Sequence, residues 1–162
     1  MPQGKRLSIG VIGGNDCSPS DAEIAYELGS HIAARGAVLI CGGKGGIMEA
    51  VSKGAFEKGG TVIGILPGTD KSEANPFVSV AIPTGLGISR NVIVVHSSDV
   101  IIAFPGAYGT LSEIAVALAV NKTVIRMPGA WDLRKAAPVD AGKFKEAFDA
   151  RQAIGLALSS GA

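Results

Sequence analysis

Arg90 and Glu113 are the side chains best placed to do chemistry, and each keeps company with a glycine-rich turn. The phrase Gly-x-x-Gly-x-x-x-Glu occurs twice. It reads Gly42-Gly43-Lys44-Gly45-Gly46-Ile47-Met48-Glu49 and then Gly106-Ala107-Tyr108-Gly109-Thr110-Leu111-Ser112-Glu113. Each copy follows a short apolar run and opens an apolar stretch with helical spacing. Such a turn lets backbone N–H groups approach an anion at the positive end of a helix. Arg90 and Asn91 fall within a third apolar stretch, residues 88–98, whose only other charge-capable side chain is His96. A guanidinium beside helix N-termini suits bidentate recognition of phosphate. An interface salt bridge is the structural alternative for Arg90.

Glu113 has two readings that spacing alone leaves open. Thr110-x-x-Glu113 fits a capping box, in which the carboxylate reaches back to a backbone N–H. Ser20-x-x-Glu23 uses the same spacing. Alternatively Glu113 faces a crevice and contacts a sugar hydroxyl or activates water. Glu49 poses the same choice. Lys44 is a phosphate contact or a solvated loop charge. Gly13-Gly14 close the first apolar run, making residues 13–18 a third candidate loop. The bland reading of all these glycines is tight strand-to-helix turns. Repetition favours a ligand site for a small phosphorylated molecule.

The other candidates carry less. His31 and His96 are isolated, so a protein-bound metal site is not expected. Cys17 precedes a helix, where a thiol can be acidified, but no base lies near it in sequence and an inert thiol is the better reading. With Cys41 it could form one disulfide, yet two reduced thiols are expected of a non-secreted chain. Asp70 and Glu73 lie in a polar loop and could gate the crevice. Trp131 reads as a packing anchor. Gly-x-x-x-x-Gly-Lys-Ser/Thr is absent, which excludes a P-loop nucleotidase. No Gly-x-Gly-x-x-Gly follows the first strand, and Cys41-Gly42 stand where a ribose-binding acid belongs, which argues against an NAD-type dehydrogenase.

These residues must be positioned by a chain of 162 residues, enough to bury a core without staples. Apolar residues make up 47% and charged residues 18%, a globular balance. A net charge of +1 gives no broad surface for nucleic acid. No run is long enough to span a membrane and no signal peptide is read at the start; a cytoplasmic protein is expected. Apolar runs at 7–12, 37–41, 61–66, 77–82, 99–104 and 123–127 predict strands. Helices are predicted over 20–35, 47–58, 88–98 and 111–120. Residues 144–148 read as a last edge strand followed by a helix capped by Asp149-x-x-Gln152, or the tail forms one helix. Alternation of this kind implies a mainly parallel sheet with helices on both faces, an open doubly wound Rossmann-like α/β fold, here a single domain over residues 1–162. Ligands bind such sheets outside the carboxyl ends of the strands. The segment at 88–98 is apolar nearly all round, so a homo-oligomer, dimer or tetramer, is expected.

The run Pro105-Gly106-Ala107-Tyr108-Gly109-Thr110-Leu111-Ser112-Glu113 resembles the Pro-Gly-Gly-x-Gly-Thr-x-x-Glu signature of the "lysine decarboxylase-like", or LOG, superfamily. Gly42-Gly43-Lys44-Gly45-Gly46-Ile47-Met48 and Gly59-Gly60-Thr61-Val62-Ile63-Gly64-Ile65-Leu66-Pro67 fit its second block. The resemblance spans roughly residues 7–130. In the phosphoribohydrolase branch it implies release of a free base and ribose 5-phosphate from a nucleoside 5′-monophosphate, with Arg90 and Glu113 catalytic by position. The sequence departs from that branch at Ala107, at Asn91 where Lys is usual, and in the short segment before Arg90. Gly87-Ile88-Ser89-Arg90-Asn91 is more similar to the molybdenum cofactor carrier branch. That likeness implies a non-catalytic protein that binds, protects and delivers a phosphorylated pterin to molybdenum enzymes such as nitrate reductase. The implied ligand contacts are Gly13, Gly14, Gly42, Gly43, Lys44, Gly45, Gly46, Arg90, Asn91, Gly106, Ala107, Tyr108, Gly109, Thr110 and Glu113. A nucleotide-sensing module is a third possibility within the superfamily.

Overall fold

The computed structural model describes residues 4–161. Seven strands form one sheet in which every pairing is parallel. They are β1 (Ser8–Ile12), β2 (Val38–Cys41), β3 (Thr61–Leu66), β4 (Val80–Pro83), β5 (Val100–Ala103), β6 (Thr123–Arg126) and β7 (Phe144–Glu146). The spatial order is β4-β3-β2-β1-β5-β6-β7. The chain therefore winds outward from β1 to β4, returns to lie beside β1 as β5, and winds outward the other way. β1 and β5 flank the switch point, and loops leaving their carboxyl ends diverge to open a crevice there. The expected Rossmann-like fold is present.

Five helices cover the sheet: α1 (Pro19–Ala34), α2 (Ile47–Glu57), α3 (Arg90–His96), α4 (Tyr108–Ala119) and α5 (Ala150–Ser160). Alternate strand residues feed two cores. Ile9, Val11, Leu39, Val62 and Ile102 pack with α1, α2 and α5. Ile12, Ile40, Ile65, Ile101 and Val124 pack with α3 and α4. All four residues of β5 are buried, as a central parallel strand covered on both faces requires. α1 and α2 cross backbone to backbone. A Cβ on Gly29 would overlap the Val51 carbonyl, and one on Gly54 the Tyr26 carbonyl. That close crossing fixes the direction in which α2 presents its N-terminus.

Several boundaries differ from expectation, each for a local reason. α1 starts at Pro19, not at the Ser20 box. Ser18 caps it by accepting from the Asp21 N–H, and Pro19 takes the first turn, where its missing donor costs nothing. β4 begins at Val80, three residues later than the alternation suggested. Asn75 holds Phe77 in a turn by accepting its N–H at 3.1 Å, while its own amide donates to the Lys44 carbonyl at 2.9 Å. The stretch expected as one helix over 88–98 is a 3-10 turn at Gly87–Ser89 followed by the short α3. The tail takes the split form: β7, then α5 capped by Asp149 accepting from the Gln152 N–H at 2.7 Å. Both cysteines are free. Among the described residues no helix is long and apolar enough to cross a membrane.

Candidate functional site

Three loops meet at the switch point, and the hydrogen bonds between them show which can serve a ligand. The β1 loop lies between the two glycine loops. Gly14 donates its N–H to the Pro105 carbonyl at 2.8 Å, and its own carbonyl accepts from the Ile47 N–H at 3.1 Å. Asn15 Oδ1 accepts from the Gly45 N–H at 3.0 Å, and Gly43 N–H points to Cys41 Sγ at 3.4 Å. Three donors of the first glycine phrase, the N–H groups of Gly43, Gly45 and Ile47, are thus taken by the protein. Gly46, at φ +61°, presses so closely on Gly14 and Asn15 that a Cβ would overlap the Gly14 carbonyl.

The second glycine loop keeps its donors free. α4 starts at Tyr108 with extended Ala107 before it, and no side chain caps it. The N–H groups of Tyr108, Gly109 and Thr110 have no acceptor among the described residues. Trp131 braces this loop from outside, donating its indole N–H to the Gly106 carbonyl at 2.9 Å. A helix start left open in this way carries partial positive charge and attracts anions.

It faces a crevice of about 290 Å³ walled by Gly13, Gly14 and Asn15 from the β1 loop, Gly42 and Met48 from the β2 side, Arg90 and Asn91 from α3, and Ala107, Gly109, Thr110 and Glu113 from α4. Pro67 and Ile88 line it as well. The Arg90 guanidinium occupies the space that a Cβ on Gly42 would take. Its Nη1 donates to the Ile65 carbonyl at 3.1 Å, and its Nε is buried with no partner among the described residues. Burial pulls Arg90 below the usual guanidinium range, with Glu113 opposing that shift. Asn91 is buried and joins α3 to α4, donating to the Gly109 carbonyl at 3.3 Å and to Ser112 Oγ at 3.2 Å.

Glu113 is 7% exposed. It lies two turns into α4 and does not cap it, because the capping position holds Ala107, which has no side-chain oxygen to begin a box. Burial pushes its carboxyl up to about 8, with Arg90 pulling the other way. A second groove of about 420 Å³ adjoins the crevice and shares Gly14, Asn15 and Ala107 with it. Asp16, Cys17, Asp21 and Gly106 line that groove. The Cys17 thiol is pushed up by burial and by Asp21 and Asp16, the opposite of an activated cysteine.

The profile of the SLOG cluster4 family matches residues 6–154. The chain belongs to the SLOG cluster4 family. Among solved structures, this SLOG chain superposes with a TM-score of 0.89 and 40% identity on the molybdenum cofactor binding protein of Rippkaea orientalis, covering 97% of this chain and 98% of that one. It superposes with a TM-score of 0.84 and 34% identity on the molybdenum cofactor carrier protein of Chlamydomonas reinhardtii, covering 96% and 98%. An uncharacterized protein of Archaeoglobus fulgidus is 52% identical over 120 residues, 74% of this chain and 79% of that one. A cytokinin riboside 5′-monophosphate phosphoribohydrolase of Arabidopsis thaliana is 34% identical over 115 residues, 68% of this chain and 53% of that enzyme. The SLOG chain thus spans about half the length of this plant relative, and the superfamily resemblance read from its motifs is confirmed.

Against the residues singled out from sequence, the fold gathers Gly13, Gly14, Gly42, Arg90, Asn91, Ala107, Gly109, Thr110 and Glu113 around one crevice. Gly43, Lys44, Gly45 and Gly46 lie off its wall, as do Gly106 and the 79%-exposed Tyr108, although the Tyr108 N–H belongs to the open helix start. Lys44 pairs across solvent with Glu73 at 3.7 Å. Asp70 caps a 3-10 turn at Lys71–Glu73. Asn15 escaped the sequence reading. Its only signal is an amide directly after Gly13-Gly14, and Asn is common in any turn. No cluster of His, Cys, Asp or Glu among the described residues could hold a metal ion.

Proposed function

We propose that this protein binds molybdenum cofactor by its terminal phosphate, shields it and passes it to molybdenum enzymes, without catalysis of its own. The observation that carries the reading is an anion site with its donors in place and no protein acceptor. Three N–H groups at the start of α4 stand open, and the buried Arg90 Nε has no partner in the same crevice. These groups fit a phosphate. The adjoining groove gives room for a larger group attached to it. The choice of cargo draws support from the two solved relatives that bind or carry this cofactor and match nearly the full chain. The exposed Leu86, Ile88 and Val92, of which Ile88 lines the crevice, support a homo-oligomer.

The test is anaerobic binding of cofactor released from a purified molybdenum enzyme, followed by reconstitution of cofactor-free nitrate reductase. Saturable binding and transfer are expected. Arg90→Gln removes a charged donor and is expected to weaken binding about 30-fold, near 2 kcal/mol. Absence of saturable binding by the parent chain would overturn the proposal.

The rival reading is a nucleoside 5′-monophosphate phosphoribohydrolase. Arg90 and Glu113 sharing one crevice, and the plant relative, favour it. Stabilising an oxocarbenium ion or activating water requires an ionised carboxylate. Burial pushes the Glu113 carboxyl up to about 8, so its proton would have to leave before it could take either role. Incubation with AMP and cytokinin riboside monophosphates separates the two: free base and ribose 5-phosphate, lost in Glu113→Gln, would establish the enzyme.

A further inference from the structure

Glu113 is a buried polar side chain that the fold leaves without a partner. It makes no hydrogen bond or ion pair among the described residues, and it lines the crevice at 7% exposure. The neighbouring groups that titrate or carry charge are few. α3 contributes Arg90, and β2 contributes the fully buried Cys41 thiol behind it. β1 supplies Val11 and Ile12, and α2 supplies Met48, none of which titrates. On its own helix, Glu113 has the open N–H groups of the first turn and the uncharged Thr110.

An oxyanion entering this crevice meets donors from α4 and from Arg90. An ionised Glu113 would face it with like charge in a poorly solvated space, where repulsion is least screened. A neutral carboxyl has the opposite effect, because its O–H is one more donor. We propose that Glu113 meets the anion as a carboxylic acid and donates its O–H to a terminal oxygen, so that its proton is a condition of capture and loss of that proton drives release. This rests on the anion-site reading above and needs only the terminal phosphate of the cargo. Glu113 would select for ligands that present an acceptor oxygen at this point and against a ligand donor group. The elevation of its carboxyl to about 8 by burial agrees with this arrangement.

Sulfate is the probe, because it stays a dianion and pure acceptor throughout neutral and alkaline pH. Calorimetric titration of the intact chain from about pH 6 to about pH 9.5 is expected to show constant affinity at first. Above about pH 8 affinity should fall up to tenfold per unit, with about one proton taken up per sulfate bound in buffers of differing ionisation enthalpy. Glu113→Gln keeps an N–H donor and should bind within about threefold of the parent at pH 7, with a flat profile. Glu113→Leu should bind about tenfold more weakly at every pH. A flat parental profile to pH 9.5, a falling profile retained in Glu113→Gln, or no saturable sulfate binding at pH 6 would overturn the inference. Cofactor binding with a pH-independent sulfate affinity overturns this inference and leaves the carrier standing. A proton-linked sulfate site with no cofactor binding does the reverse.

Discussion

A Gly42→Ala variant is expected to fold and to bind the phosphorylated cargo up to about 30-fold more weakly than the parent chain, the loss expected for removing Arg90 itself. Gly42 follows β2 at the wall of the crevice, and the Arg90 guanidinium stands where its Cβ would be. A methyl group there would overlap Arg90 Nη1, stand 2.9 Å from its Cζ and 2.7 Å from Met48 Sδ. No backbone atom is among these obstacles, so the sheet need not move. Gly42 does not have a positive φ, so alanine brings no conformational strain. Relief comes from displacing the guanidinium, the flexible end of a long side chain. That breaks its bond to the Ile65 carbonyl and moves the charge away from the open start of α4. The stability cost should be about 1–2 kcal/mol, the range for one charge-assisted hydrogen bond. Urea unfolding and cargo titration on the same preparation check both halves. Retained affinity would show that Arg90 does not anchor the anion from its observed position.

The parts of this site legible in sequence are those that depend on residue type and on the end of a strand. Arg90, Glu113 and Gly42 were identifiable because a parallel sheet delivers its loops to one edge, and the glycine phrases mark which loops. The direction of backbone donors was not legible. The two phrases look alike, yet Gly45 and Ile47 spend their N–H groups on Asn15 and Gly14, while the start of α4 spends none. That difference arises because the β1 loop is stitched between them, a contact across some thirty residues that no local pattern encodes. The capping reading of Glu113 failed for a related reason. Thr-x-x-Glu is a box only if Thr stands at the cap, and α4 begins two residues before Thr110. At α1 the decisive local signal was Pro19 after Ser18, which outweighs the Ser20 spacing because proline fits the first turn and no later one. The late start of β4 was illegible because Asn75 is anchored to Lys44, far away in sequence.

Glu113 should also make the fold less stable as pH rises, and Glu113→Gln should abolish that trend. An unfolded glutamate ionises near its ordinary value of 4.5, whereas in the folded chain burial delays ionisation to about 8. Between those values the folded state holds a proton that the unfolded state has lost. For this group the favourable contribution is complete below the unfolded value and is progressively lost as pH climbs through the folded one. The loss is on the order of 3 kcal/mol at pH 7 and grows further toward pH 8. That is a large share of the total stability of an ordinary domain. Glutamine has the same shape and no charge to bury, so the variant should match the parent near pH 5 and exceed it by about 3–4 kcal/mol near pH 8. Asp70, Asp99 and Asp132, whose ionisation is shifted the other way, titrate alike in both proteins and cancel in the difference. Urea denaturation of both chains at intervals between these pH values measures the gap, provided the slopes agree. A gap that stays constant from pH 5 to pH 9 would mean that Glu113 ionises in the native crevice as freely as in water. Addition of saturating sulfate supplies a separate check. If the anion accepts from the Glu113 acid, the proton is held to higher pH in the complex and the parental loss of stability moves upward with it. The surplus buried acid then works as a device for holding an anion: the fold is less stable without cargo at alkaline pH, and the bound oxyanion keeps the carboxyl neutral.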